Sequence, residues 1–177
     1  MKVLVTGFKP FNKSSNNYST EVLNYITGVD KLIIDVVYDK CYQEILNNVN
    51  LDDYDLVVAM GEARMRKDLT LEIEAKNISS CSLPDNSGIV KQNEVINPDL
   101  PSVLKTKVDV RCITDMVEFS YDAGKFVCNN IYFHLLENFP EKSLFIHIPN
   151  CNDDKDEYVK HAKTINEIIE TIIEKRK

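Results

Sequence analysis

Three side chains, far apart in the 177-residue chain, have the types needed for nucleophilic acyl transfer: Cys128, His147 and Glu72. A thiol becomes a strong nucleophile once an imidazole takes its proton, and a carboxylate on the other ring nitrogen fixes the imidazole's tautomer. Cys128 follows Ala123-Gly124 and falls at the start of an expected helix over 128–139. Unpaired N–H groups and the helix dipole favour a thiolate there, lowering a pKa that starts near ~8.5. His147 stands in Phe145-Ile146-His147-Ile148-Pro149, at the end of an expected strand. Sites in open α/β sheets gather outside the carboxyl ends of strands, where such a histidine could meet a loop cysteine. Glu72 lies between Leu71 and Ile73. Each residue also has a plainer reading, as a small buried thiol, a core histidine and a solvated strand position. His134, mid-helix, and His161, on a charged helix, are read as structural or solvated. Spacing alone goes no further than a cysteine hydrolase as one candidate.

The elements that must position these groups follow from hydrophobic periodicity. Val3-Leu4-Val5 predicts a strand ending at Thr6-Gly7, and Val22, Leu23 and Ile26 predict a helix capped by Ser19 or Thr20. A β-branched run over 32–37 predicts a strand, residues 41–49 a short helix, and Leu56-Val57-Val58-Ala59-Met60 a central strand buried on both faces. From Leu69 to Lys76 apolar and polar residues alternate, predicting a half-buried strand with Glu72 on its polar face. Leu83-Pro84-Asp85-Asn86-Ser87-Gly88 is turn chemistry, and 89–112 gives little pattern beyond a loop at Pro98 and Pro101. Val127, Ile131, Leu135, Leu136 and Phe139 recur at helical spacing before Pro140, and 143–148 reads as a strand. A long amphipathic helix follows, starting near Asp153 or Asp154. Strands alternating with helices predict one α/β domain over 1–177.

Composition narrows the partners. The net charge of −7 and scattered basic residues argue against nucleic acid, which is bound by clustered Lys and Arg. The terminal Lys175-Arg176-Lys177 is read as complementing a helix dipole. Five cysteines with no CxxC pair suit neither a disulfide framework nor a zinc site, and predict reduced thiols in the cytoplasm. No stretch approaches the ~20 apolar residues of a membrane span.

Four separated segments resemble the pyroglutamyl peptidase I family, in the same order. Val5-Thr6-Gly7-Phe8-Lys9-Pro10-Phe11 resembles its opening. The segment from Gly61-Glu62-Ala63-Arg64-Met65-Arg66 to Glu72, continuing to Pro84-Asp85-Asn86, resembles its GQAGGR element and the stretch beyond it. Ala123-Gly124-Lys125-Phe126-Val127-Cys128-Asn129 matches the element around the nucleophile, and Phe145-Ile146-His147-Ile148-Pro149 the element carrying the base. The resemblance implies a cysteine peptidase that removes an N-terminal pyroglutamyl residue from small peptide substrates without metal or organic cofactor. Cys128 would be its nucleophile, His147 its base and Glu72 its orienter. It further implies a single-domain fold with a twisted mixed sheet between helices on both faces, often assembled as a dimer or tetramer. Phe8, Phe11, Phe126 and Val127 would line an apolar lactam pocket, beside Glu62.

Departures from the family pattern cluster near that pocket. Glu62 replaces a glutamine, Arg64 and Met65 replace two glycines, Asn12-Lys13 replaces a glycine pair, and Glu72 is followed by Ile73 rather than arginine. Ser82 aligns with an arginine thought to lie near the oxyanion. An acid at 62 would oppose negative charge in the transition state, and losing one oxyanion donor costs roughly 10²–10³ in rate. This leaves two alternatives: a cysteine hydrolase or amidase for another small acyl group, and a catalytically weak paralogue acting as a binding protein.

Overall fold

In the computed structural model, which describes residues 1–176, the longest apolar run becomes the middle of the sheet. The chain runs β1 (Val3–Phe8), α1 (Tyr18–Leu23), β2 (Asp30–Ile34), α2 (Lys40–Asn48), β3 (Leu56–Glu62), β4 (Thr70–Glu72), β5 (Glu74–Lys76) and β6 (Ser79–Cys81). It continues through β7 (Lys91–Glu94), β8 (Val103–Lys105), β9 (Glu118–Ser120), α3 (Val127–Asn138), β10 (Ser143–Ile148) and α4 (Lys155–Lys175). Six strands form a mixed sheet in the order β2-β1-β3-β10-β4-β9, in which only the β10–β4 pairing is antiparallel. β5 pairs with β8 and β6 with β7 as two small antiparallel ribbons.

The pleat divides the core into two layers. Leu56, Val58 and Met60 of β3 and Leu144, Ile146 and Ile148 of β10 pack with α1 and α4. Val57, Ala59 and Phe145 face the other way, toward α2 and α3. Helices on both faces therefore enclose the sheet, as expected. No helix among the described residues is long and apolar enough to cross a membrane.

Local chemistry sets several boundaries away from those expected. α1 is capped by Asn17, whose side chain accepts from the Ser19 N–H at 3.1 Å, not by Ser19 or Thr20. β2 ends at Ile34 rather than at Val37. The last β1–β2 link runs from Lys9 N–H to the Ile34 carbonyl; beyond it the Asp35 N–H turns to Glu44 Oε2 and the Val36 carbonyl accepts from Asn86 N–H. The alternating stretch 69–76 is two strands, because the chain changes partners at Ile73: its N–H still bonds to Ser120 of β9 in the main sheet, while its carbonyl accepts from Thr106, beside β8. Residues 89–112 hold β7, β8 and the start of a short 3₁₀ turn at Arg111–Ile113. Asp154 caps α4 through the Asp156 N–H at 2.9 Å. Arg176 spans outward to the carbonyls of Asp55 and Glu141 instead of serving only the dipole of α4. Lys177 lies outside the described residues.

Candidate active site

The same pleat that sorts the core brings the chemistry together. In β10, residue 147 shares the α3-facing side with Phe145; in β3, residue 61 shares it with Val57 and Ala59. His147 is in register with Gly61 on one neighbour and with Thr70 on the other. Glu72, two residues from Thr70, faces the same way, while Leu71 enters the opposite layer. Glu72 is fully buried, so the polar side of this strand is turned into the protein, not toward solvent as its alternation predicts. Its Oε1 lies 2.7 Å from His147 Nδ1. With the carboxylate ionised, Nδ1 carries the proton and donates it, which leaves Nε2 as the free base.

Cys128 reaches the same sheet face from α3. Val127 is the first residue of that helix and Cys128 the second. A methyl group on Gly61 would lie 2.5 Å from Cys128 Sγ and 3.0 Å from Phe145 Cζ. The sulfur thus rests directly over the backbone of Gly61, the strand neighbour of His147. The imidazole is flanked by the Phe145 ring, edge-on at a centroid distance of 4.9 Å. The preceding loop turns at Gly124, whose φ of 79° is a left-handed value that glycine takes without steric cost. Asn129 then locks the helix start to the ribbon: its side chain accepts from Lys76 N–H at 2.8 Å and donates to the carbonyls of Lys76 and Ile78 at 2.8 and 3.0 Å.

The first intrahelical bond of α3 is Asn130 N–H to Phe126 C=O at 3.1 Å, so the N–H groups of Val127, Cys128 and Asn129 precede it. Phe126, the capping residue, supplies no side-chain hydrogen bond. The end of α3 therefore presents backbone donors beside the sulfur.

Electrostatics set the resting protonation. Burial pushes the Cys128 thiol up to about 12, helped by the negative charges of Glu62 and Glu72 and opposed by Arg66. The direction is opposite to the lowering expected from the helix terminus, with desolvation the largest cause. Burial also lowers His147 below the ordinary histidine value, against the opposing hydrogen bond and charge of Glu72. Burial raises Glu72, but its hydrogen bond with His147, aided by the charges of His147 and Arg66, leaves it below the usual carboxylate range.

Of the expected pocket residues, Phe11 and Phe126 are half-buried with ring centroids 5.3 Å apart, and Tyr38 meets Phe126 edge-on at 5.4 Å. Phe8 and Val127 are 1% and 0% exposed and belong to the apolar cluster behind these rings. Glu62 ends β3 with its side chain largely buried. Its Oε2 accepts the Tyr18 N–H at the start of α1 (3.0 Å), and its Oε1 accepts from Arg64 Nε at 3.1 Å. Arg64 also donates to Ser14 Oγ and lies over the Tyr18 ring. The acid is thus matched by Arg64, not by Arg66. Ser82 is exposed on the loop after β6.

Sequence reasoning gave Arg66 no part in the Glu72–His147 pair. Its Nη1 contacts Thr70 Oγ1 and lies 2.7 Å from Glu72 Oε1, and its Nη2 donates to the Asp122 carbonyl at 2.7 Å. Nothing in periodicity marks it; its place at the end of the GQAGGR-like element was the one available signal.

Comparison with known proteins agrees across the chain. Residues 1–173 match the family described as pyroglutamyl peptidase. The chain is 31% identical over 167 residues to the pyrrolidone-carboxylate peptidase of Bacillus subtilis, covering 84% of this chain and 78% of that one. It is 32% identical over 170 residues to the protein of that name from Treponema denticola, with the same coverage. The crystal structure of pyroglutamyl peptidase I from Bacillus amyloliquefaciens superposes with a TM-score of 0.82 at 24% identity, covering 94% of this chain and 95% of that one. A mutant pyrrolidone carboxyl peptidase from Pyrococcus furiosus superposes with a TM-score of 0.82 at 22% identity over the full length of both.

Proposed function

The chain belongs to the pyroglutamyl peptidase family, and from that premise we propose that it removes N-terminal pyroglutamyl residues from peptides through Cys128, His147 and Glu72. The observation that carries the chemistry is the 2.7 Å contact from His147 to the fully buried Glu72, on the sheet face over which Cys128 Sγ lies.

In the proposed reaction His147 Nε2 takes the Cys128 proton as the sulfur attacks the pyroglutamyl carbonyl. Glu72 holds the imidazole and stabilises the imidazolium. Oxygen charge in the tetrahedral species meets the backbone N–H groups at the start of α3. Collapse breaks the C–N bond, His147 protonates the leaving amine, and a thioester remains on Cys128. Water, activated by the same imidazole, then releases 5-oxoproline. The half-buried Phe11 and Phe126 give a flat, uncharged ring an apolar surface.

Self-association into a dimer or tetramer belongs to the same reading; Leu83, Ile89, Val90 and Val95 expose apolar surface on the arm that carries β6 and β7. Five free cysteines suit a reducing cytoplasm.

The test is hydrolysis of a chromogenic pyroglutamyl amide by the wild type and by C128A under reducing conditions. Turnover by the wild type that disappears in the variant is expected. No turnover by folded wild type at high enzyme concentration would point instead to another small acyl substrate or to a binding role.

A further inference from the structure

We propose that Arg66 is a positioning residue: its guanidinium joins the orienting carboxylate, the strand beside His147 and the loop leading to Cys128 into one unit. The inference rests on the catalytic roles proposed for those three residues.

The geometry is specific to a guanidinium. One nitrogen, Nη1, faces both Glu72 Oε1 at 2.7 Å and Thr70 Oγ1, and Thr70 is the register partner of His147. The other, Nη2, reaches the Asp122 carbonyl at 2.7 Å, six residues before Cys128. A lysine could neutralise Glu72 but could not hold both ends, because its single nitrogen lacks the planar fork. The backbone of Arg66 is itself fixed: its N–H donates to the Ala63 carbonyl at 2.8 Å, and Ala63 N–H bonds to the Ile148 carbonyl at 2.8 Å. The loop that carries Arg66 is thereby laced to the end of the His147 strand.

Glu72 Oε1 serves both His147 and Arg66, whereas Oε2 is buried without a hydrogen-bond partner among the described residues. Arg66 and His147 therefore share one oxygen. A fixed cation there restrains the pull of Glu72 on the imidazole proton and keeps His147 from becoming too basic to release it to the leaving amine. The charged groups around His147 are Glu72 on β4, Arg66 on its loop and Asp122 before α3, with the Cys128 thiol over the neighbouring Gly61.

The test separates charge from fork with R66Q and R66K, using two readouts that need no substrate. These are the NMR titration midpoint of His147 and the rate of Cys128 alkylation by iodoacetamide, followed on the Cys128 peptide by mass spectrometry. In R66Q the midpoint should rise by about one pH unit, because a neighbouring cation has been removed. In R66K it should stay at the wild-type value while alkylation slows about tenfold, as the loop before Cys128 loses its tie. A R66Q midpoint within about 0.2 unit of wild type, or R66K alkylation at the wild-type rate, overturns the proposal. Should R66Q not fold, R66K alone decides. A wild type inactive on pyroglutamyl amides would sink the peptidase reading without touching either readout.

Discussion

Replacing Glu72 with glutamine tests the centre of the mechanism, and its consequences can be worked from three contacts. The carboxylate is 0% exposed, and its Oε1 accepts from His147 Nδ1 and from Arg66, each at 2.7 Å. Glutamine has one acceptor oxygen and one NH₂ group, and neither placement suits the site. With oxygen at the Oε1 position, the NH₂ falls where Oε2 now lies, buried and making no hydrogen bond, with only the Ser120 hydroxyl of the neighbouring strand near enough to meet one of its two donors. An unsatisfied buried donor costs about 1–3 kcal/mol. With the amide reversed, NH₂ faces two donors. His147 then relieves the conflict by moving its proton to Nε2, which removes the base that Cys128 requires. Either way Arg66 loses its ionic partner. Its side chain is 24% exposed, so solvent relieves part of the roughly 3–5 kcal/mol typical of breaking a fully buried pair. We expect a net destabilisation of about 2–4 kcal/mol.

Activity should fall further than stability, by about 10³–10⁴ in kcat, the scale for a triad whose orienter no longer selects the tautomer. The pH dependence has a definite sign. The folded pKa of Glu72 is depressed, so its contribution to stability is present above the unfolded value and is lost as pH falls through the folded one. The stability gap between wild type and E72Q should therefore be full at pH 7 and narrow on acidification below about pH 4.5. Urea denaturation at pH 7 and pH 4, with kcat on a chromogenic pyroglutamyl amide, measures both. A folded E72Q that keeps more than a tenth of wild-type kcat would refute the role assigned to the carboxylate, whatever its stability.

G61A places a methyl group 2.5 Å from Cys128 Sγ and 3.0 Å from Phe145 Cζ, so the sulfur must move; kcat should drop about 10²-fold. Its stability cost, roughly 1–3 kcal/mol by thermal melting, should shrink in a C128A background, where the nearer clash is gone. R64A strips Glu62 of its 3.1 Å partner and leaves an unmatched charge that opposes a thiolate on Cys128. A fall of about tenfold in kcat/KM is expected, reversed in E62Q/R64A, and full additivity of the two changes would count against the coupling. Lys13 holds φ at 63°, a left-handed value that costs a side chain about 1 kcal/mol, so K13G should raise the urea midpoint by a corresponding amount.

What could be read from residues alone divides along physical lines. The central strand, α3, β10 and α4 were legible because burial imposes a period that the side chains repeat, and nothing local competes with it. The end of β2 and the split at Ile73 were not, because a bond from Asn86 to the Val36 carbonyl and one from Thr106 to the Ile73 carbonyl divert the chain there, and both donors lie far along the sequence. Glu72 shows the limit of alternation. The period gave its strand side correctly, but the destination of that side depends on β10 and α3 lying over it. The helix-terminus argument placed Cys128 correctly, but it could not supply the carboxylates of Glu62 and Glu72, which oppose a thiolate there and come from other strands. Arg66 was illegible because its partners converge only when β4, β10 and the loop before α3 assemble.

The departures from the family pattern are accommodated in different ways, and the difference bears on rate. At Asn12-Lys13 the backbone takes positive φ values of 52° and 63°, a conformation that glycine adopts without cost and these side chains adopt with strain. Neither Arg64 nor Met65 takes a positive φ, so the loop after β3 accepts side chains there without that strain. The arginine this allows supplies the countercharge for Glu62, which in turn binds the first N–H of α1. The acid at 62, the lost glycines and the start of α1 therefore form one rebuilt corner, with its charge balanced internally. An acid so matched opposes oxygen charge in the transition state far less than a bare carboxylate would. The backbone donors at the start of α3 depend on none of these residues. The corner is therefore compatible with substantial turnover, and R64A, more than E62Q, is the change that exposes its effect.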